Sequence, residues 1–464
     1  MAGSGTYINF TDRERVGVYT KFVAKKSTDF ESPDTTGIVA IGLPMDYGED
    51  GKAIEVLATE LEDGSCVSKI GYTLSDEEIL PYRLALVGAY KAYFFKLNKG
   101  GEKAKATIGD ITYTAKYSGT LGNNIKVVIK ADTPKAGTYC VMTYFKDAKK
   151  ETFYVSSGEA LLAKESAWVD FSATSTTPTI TANDGTLLTG GTNGAIDADT
   201  SYDDFFKAIK YKMYNYIACY GADTTISDKI VEFVNKQITN KGKFVGGVVY
   251  DKPLLNDRNI ISVDQGLECD DFTISLELMP IFVASLRAGC SLGACLDNND
   301  MTTLVGAHTI INPVNDDDDT EIIEALKQGK FLFSYWNDGT VVVEEDINTY
   351  TEYSDEAPAD YRRNRLIATM NYIANEAQIR LNKNVVDGKH ADDDDGNTRY
   401  IVKTIVDNIC TDLFNSATIG SYNPSTDIVV SGITGRTDAL TYTTYLKYKD
   451  SIRQIFGEYT IVLN

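Results

Sequence analysis

Histidine is nearly missing from this 464-residue chain, which has only His308 and His390. Neither has a cysteine close in sequence, and His308, in GAHTIIN, has no G-x-S-x-G elbow to serve. A triad assembles in space rather than in sequence, yet nothing around these two residues marks a catalytic imidazole. Positive charge is also short: 45 Lys and Arg stand against 66 Asp and Glu, a net charge of −21. Such a surface repels nucleic acid and anionic membranes, so neither is expected as a partner. No apolar run approaches the roughly 20 residues that span a bilayer. The opening MAGSGTYINFTDRERVGVY lacks the apolar segment of a signal peptide, so no secretion signal is expected. The seven cysteines are odd in number and scattered, as in a reduced, cytosolic protein that uses them as small buried hydrophobes. Cys290 and Cys295 are the one close pair, and they lack the histidine or second pair that a zinc site uses.

What the chain has is enough apolar residue, 43%, to fill more than one core. From TGIVAIGLPMDYG (36–48) onward the pattern is α/β. A buried strand at Ile38–Leu43 is followed later by strand-like YNYIACYG (214–221), a helix over 226–242 with Ile230, Phe233, Val234 and Ile238 at helical spacing, and strand-like KFVGGVVYD (243–251) and NIISVDQG (259–266). That alternation predicts a largely parallel sheet covered by helices. Between these parts, about 95–185, the texture changes to Thr, Lys, Tyr and Gly with period-two runs. ITYTAKY (111–117) puts Ile111, Tyr113, Ala115 and Tyr117 on one face, and 138–145 and 151–157 read as further strands. This is a β domain inserted into a loop of the α/β core. Two helices follow, at 362–383 with Leu366, Met370, Ile373, Ala377 and Leu381 on one stripe, and at 398–416 with Ile401, Ile405, Ile409 and Leu413.

The fold class is therefore α/β and multidomain. It comprises an arm at 1–24, a parallel-type α/β core at 25–94 and 186–343, the inserted β domain at 95–185, a C-terminal mixed α/β domain at 344–445, and a second arm at 446–464. Both arms hold lone strand candidates, TYINF (6–10) and GVYTKFV (17–23) at the front and EYTIVLN (458–464) at the back. A solitary strand leaves its backbone groups unpaired, so each must pair with something else.

Several ligand motifs can be tested by counting. ADDDDGNTRYIV (391–402) fails as an EF-hand, because with Gly396 at the sixth place the first and twelfth fall on Ala391 and Val402. A looser calcium site at Asp392–Asp395 stays open. NDDDDTEIIEALKQG (315–329) reads as a helix with acidic residues at its positive end and Gly329 as its stop. SGTLGNNIKVVI (118–129) and TGGTNG (189–194) are glycine-rich, but neither has the lysine or the following helix of a phosphate loop, and both read as backbone turns.

Six stretches together resemble a known family. RVGVYTKF (15–22) with TTGIVAIGLPMDYG (35–48), SGTLGNNIKVVI, LLTGGTNG (187–194), GKFLFSYWNDGTVVVEEDINTYTEY (329–353) with its Asp346-Ile347-Asn348 signature, and NKNVVDGKHADDDDGNTRYIVKTIVDNICTDL (382–413) are similar, in this order, to segments of the tail sheath proteins of contractile phage tails and phage-tail-like bacteriocins. The acidic expansion at Asp392–Asp395 departs from the shorter turn usual there. The resemblance implies a structural subunit, not an enzyme, with no cofactor. It would assemble in the bacterial host cytoplasm and stack with itself as six-membered rings around an inner tail tube, between baseplate and terminator proteins. It also implies strand exchange between neighbours through Tyr7, Ile8, Phe10, Val18, Tyr19 and Phe22 of one arm and Tyr459, Ile461 and Leu463 of the other. The expected acceptor is a hairpin of Thr340–Glu344 and Asp346–Tyr350, with Val341, Val343 and Ile347 in it. The basic stretch LKYKDSIRQIF (446–456), with Lys447, Lys449 and Arg453, is a candidate tube contact or else a solvated helix face. Two rival readings are an α/β enzyme with carboxylates such as Asp251 or Asp264 at strand ends, and a cell-surface binding module built on the β insertion.

Overall fold

The computed structural model describes residues 3–5, 17–19, 36–131, 137–315, 319–354, 358–385, 396–434 and 436–450. At its centre is a six-stranded sheet of β1 (Ile38–Leu43), β2 (Ile54–Leu57), β3 (Lys91–Lys96), β4 (Tyr216–Cys219), β5 (Gly246–Tyr250) and β6 (Ile260–Val263), in the spatial order β6-β5-β4-β1-β3-β2. All neighbours are parallel except the edge strand β2, which runs antiparallel to β3.

The unbroken apolar run of β1 follows from its position, because a parallel strand covered on both faces has no polar side. Val39, Ile41 and Leu43 point into one core with α1 (Leu80–Leu86) and α4 (Met279–Gly289). Ile38 and Ala40 point into the other with α2 (Thr200–Ile209) and α3 (Thr224–Lys241). Helix α3 is N-capped by the Asp223 carboxylate, which accepts from the Thr225 amide, and stops at Gly242 in the left-handed region.

The segment between β3 and α2 forms two antiparallel sheets with a core of their own. Four strands (Ile125–Lys130, Tyr139–Phe145, Ala148–Val155, Asn183–Leu187) face three (Lys105–Ile108, Ile111–Ala115, Val169–Ala173). Ile111, Tyr113 and Ala115 are buried, as their alternation predicts. Tyr47, which follows β1, inserts its ring into the inserted domain's core beside Trp168, 6.4 Å away and stacked.

The two glycine-rich loops fasten this domain to the core. Asn123 bonds both the amide and the carbonyl of Gly191 (2.8 and 2.9 Å), Asn193 accepts from the Thr120 amide, and the Asn193 amide donates to Asp46. Gly119 has φ 127°, and a Cβ there would lie 2.0 Å from the Asp46 carbonyl oxygen. These asparagines and glycines serve a chain crossing rather than an anion.

The C-terminal part holds α5 (Asn364–Asn384), α6 (Asn397–Asn415) and a last hairpin of Ile428–Ile433 and Arg436–Thr444. Two sequence expectations are corrected here. The buried row of α6 is Val402, Val406, Ile409 and Leu413, and Ile401 and Ile405 are only half-buried. In α5, Ile367 and Ala377 are buried but Leu366, Met370, Ile373 and Leu381 are half-buried, while the polar Asn364, Arg365, Thr369 and Glu376 are buried. The start of α5 therefore buries polar groups, with Asn364 donating to Asp346, while Ile373, Ala377 and Leu381 farther along pack with Ile409 and Leu413 of α6.

Candidate assembly interface

The site is built on a charged node that joins the C-terminal helices to the core. Arg287, from α4, donates to Asp346 at 2.7 Å with both side chains fully buried. The second Asp346 oxygen accepts from the Asn364 amide at 2.9 Å. Arg363 bonds Glu345 at 2.7 Å and also Asp297, and Arg362 bonds Glu345 at 2.9 Å. Burial works to lower the Arg287 pKa, but the Asp346 carboxylate outweighs it and holds the guanidinium above its ordinary value. The Asp-Ile-Asn signature thus works inside the chain: Ile347 is fully buried, and Asn348 bonds the Arg362 and Tyr361 carbonyls.

That placement corrects the expected pairing of the hairpin. The hairpin pairs Phe333–Tyr335 with Val341–Val343, not 340–344 with 346–350. Val341 and Val343 are fully buried in the central core. Both hairpin edges are occupied within the same chain. Val343 exchanges backbone bonds with Asn298 and Asn299, and the Gln265 side-chain amide bonds both the N–H and the carbonyl of Phe333. The run of three valines has no alternation to reveal its register, and the edge partners lie some 45–70 residues upstream of the strands they pair with.

The last hairpin is different. Its strands pair only with each other among the described residues. Ile428 packs against Val406 and Cys410 of α6, while Val429 (49% exposed) and Tyr442 (40%) remain open to solvent. Past it, residues 446–450 run extended beside the hairpin's base, with Tyr448 bridging Ile419 and the Lys447 carbonyl accepting from Gly420 at 2.8 Å. Lys447 and Lys449 are exposed on this extended piece, so they do not form a helix face.

Val18 and Tyr19 lie on a short strand, Gly17–Tyr19, parallel to Gly3–Gly5. Tyr7, Ile8, Phe10, Phe22, Arg453, Tyr459, Ile461 and Leu463 lie outside the described residues, as does the Asp392–Asp395 loop.

The comparisons with known proteins fit this architecture. Residues 99–193 match the phage tail sheath protein beta-sandwich domain, and residues 194–349 match the phage tail sheath protein central domain, so the two together span more than half of the chain. The chain belongs to the phage tail sheath family. This sheath protein is 26% identical over 452 residues to the phage-like element PBSX protein XkdK of Bacillus subtilis strain 168, covering 92% of this chain and 93% of that one. A sheath tail protein of Desulfitobacterium hafniense is 26% identical, with a TM-score of 0.73 over 94% of this chain and 98% of that chain. A sheath tail protein of Listeria innocua shares the fold at 24% identity and a TM-score of 0.79, covering 90% and 93%.

Asp264 and His308, raised for other chemistry, have polar neighbours in this sheath chain. Asp264 accepts from Lys330 at 2.6 Å, Asp251 sits at the end of β5 with φ 42°, and His308 is exposed with its Nδ1 3.0 Å from the Thr309 hydroxyl. No helix among the described residues is long and apolar enough to cross a membrane, and no group of three or more His, Cys, Asp or Glu among them is placed to hold a metal.

Proposed function

We propose that this sheath chain polymerises as stacked six-membered rings around an inner tail tube, between baseplate and terminator proteins, and contracts to drive the tube through a target envelope. The observation that carries the reading is the last hairpin, a two-stranded sheet whose outer edges have no strand beside them among the described residues. Open edges template pairing with another chain. The arms at 1–24 and 446–464 supply candidate strands, through Tyr7, Ile8, Phe10, Val18, Tyr19 and Phe22 and through Tyr459, Ile461 and Leu463. Each arm would add to the hairpin of a neighbouring copy, with backbone bonds giving the join and alternate side chains the register. This replaces the inner hairpin as acceptor, whose edges are taken.

In this mechanism the α/β core around the six-stranded sheet acts as the rigid body, the inserted β domain faces outward, and 344–445 faces the tube. Lys447, Lys449 and Arg453 form a weak, releasable contact with an acidic tube surface. Neighbours linked by exchanged arms slide and rotate without parting, so contraction is a collective shift between two packings. Assembly takes place in the host cytoplasm, and the mature location is the particle's sheath. Negative-stain electron microscopy of the purified chain tests the reading: striated tubes are expected, and uniform small particles at every concentration would refute it.

A further inference from the structure

Two surfaces on opposite faces of the central sheet complement each other. The first follows α2, on the face covered by α2 and α3. There Tyr211 is 82% exposed, amid Lys210, Lys212 and Lys241, none of which has a carboxylate partner among the described residues. In a chain of net charge −21 this is a local concentration of cations around one projecting aromatic ring. Lys210 sits 5.4 Å from the Tyr211 ring centroid.

The second surface is a groove of about 310 Å³ beside α1, on the face covered by α1 and α4. Its walls include Val87 (37% exposed), Leu304 (42%) and Phe272, and its rim carries the exposed carboxylates Asp270 and Asp271, neither of which has a cation partner among the described residues. Arg83 also borders the groove, 5.6 Å over the Phe272 ring, and leaves one net negative charge there.

We propose that the Lys210-Tyr211-Lys212 knob of one copy seats in the Asp270/Asp271 groove of the next. This rests on the reading that the chain polymerises. Tyr211 would occupy the apolar groove and the flanking lysines would meet the two carboxylates, an exposed aromatic anchor within a polar rim. Because knob and groove are different surfaces on opposite faces of one sheet, the contact is head-to-tail and does not close on itself as a twofold dimer does. It would thus be a core-to-core contact separate from the arms.

The test uses the full chain and three charge variants: K210E/K212E, D270K/D271K, and all four changes together. Sedimentation and electron microscopy give the concentration at which polymer appears in low salt. Each double reversal is expected to raise that threshold about tenfold or more, since it sets like charges against each other. The fourfold variant should return to within about threefold of wild type. Zero-length carbodiimide cross-linking of mixed light and heavy-isotope wild-type chains should join Lys210 or Lys212 of one copy to Asp270 or Asp271 of another. Polymers that ignore the reversals and lack this cross-link would overturn the contact and leave the sheath reading standing. A wild-type chain that never polymerises would overturn both.

Discussion

Arg287 and Asp346, 59 residues apart, meet at 2.7 Å with no solvent on either side chain. This pair holds the segment that leads into α5 against α4, so a sequence signature that reads as a surface hairpin is the bolt of the domain junction. Asp346→Ala leaves a buried guanidinium without its counter-charge, and the expected cost is about 3–5 kcal/mol of unfolding free energy. Urea denaturation of the monomer measures it. The double change Arg287→Met with Asp346→Leu removes both charges and is expected to recover part of that loss, because replacing a buried pair by apolar groups is cheaper than halving it, while the Asn364 amide and the Leu296 N–H lose their acceptor.

The attachment of the inserted domain is also testable. Lys96, at the end of β3, is wholly buried and donates to the Ser118 carbonyl (2.8 Å) and hydroxyl (2.7 Å), with Asp50 3.3 Å away. Burial lowers the amine's pKa and Asp50 opposes that shift. Lys96→Met strips the Ser118 carbonyl of this donor, at an expected cost of about 1–3 kcal/mol. Limited proteolysis should show faster cutting at the two connections, 97–102 and 188–194, than in wild type.

Lys243 supplies a pH signature. Burial pushes its amine down to about 7, and its Nζ lies 3.7 Å from the centroid of the Tyr214 ring. In the unfolded chain a lysine titrates near ~10.4. Below pH 7 the amine is charged in both states and the burial penalty is fully present. Between about 7 and ~10.4 the unfolded chain holds the extra proton, so this residue's contribution to stability rises with pH. Lys243→Met is expected to remove that rise and to stabilise the protein at pH 7. Thermal denaturation of both chains from pH 6 to 9 checks the difference in slope.

Elements whose burial is set by their own pattern were legible in the sequence. The all-apolar Ile38–Leu43, the alternating Ile111–Ala115 and the periodic Thr224–Lys241 each carry one consistent signal. The α6 face was not, because Ile401 and Ile405 stand beside Val402 and Val406, and two adjacent apolar rows satisfy the same period. The buried polar start of α5 was hidden for another reason. Arg363 and Asn364 are buried only because Asp297, Glu345 and Asp346 reach them from distant segments, and no local pattern encodes that. For the interface, the sequence marks strand-forming arms but not their partner. The last hairpin becomes the better acceptor only once the inner hairpin's edges are seen to be filled by Asn298, Asn299 and Gln265.

The account depends most on the arms joining neighbouring copies at that last hairpin. Chains lacking residues 1–23 or 458–464 test it directly, by sedimentation and electron microscopy beside the intact protein. Both truncations are expected to stay folded, with the circular dichroism of the full chain, and to remain monomeric where the full chain forms tubes. Tubes formed by both truncated chains at the full-length threshold would contradict it.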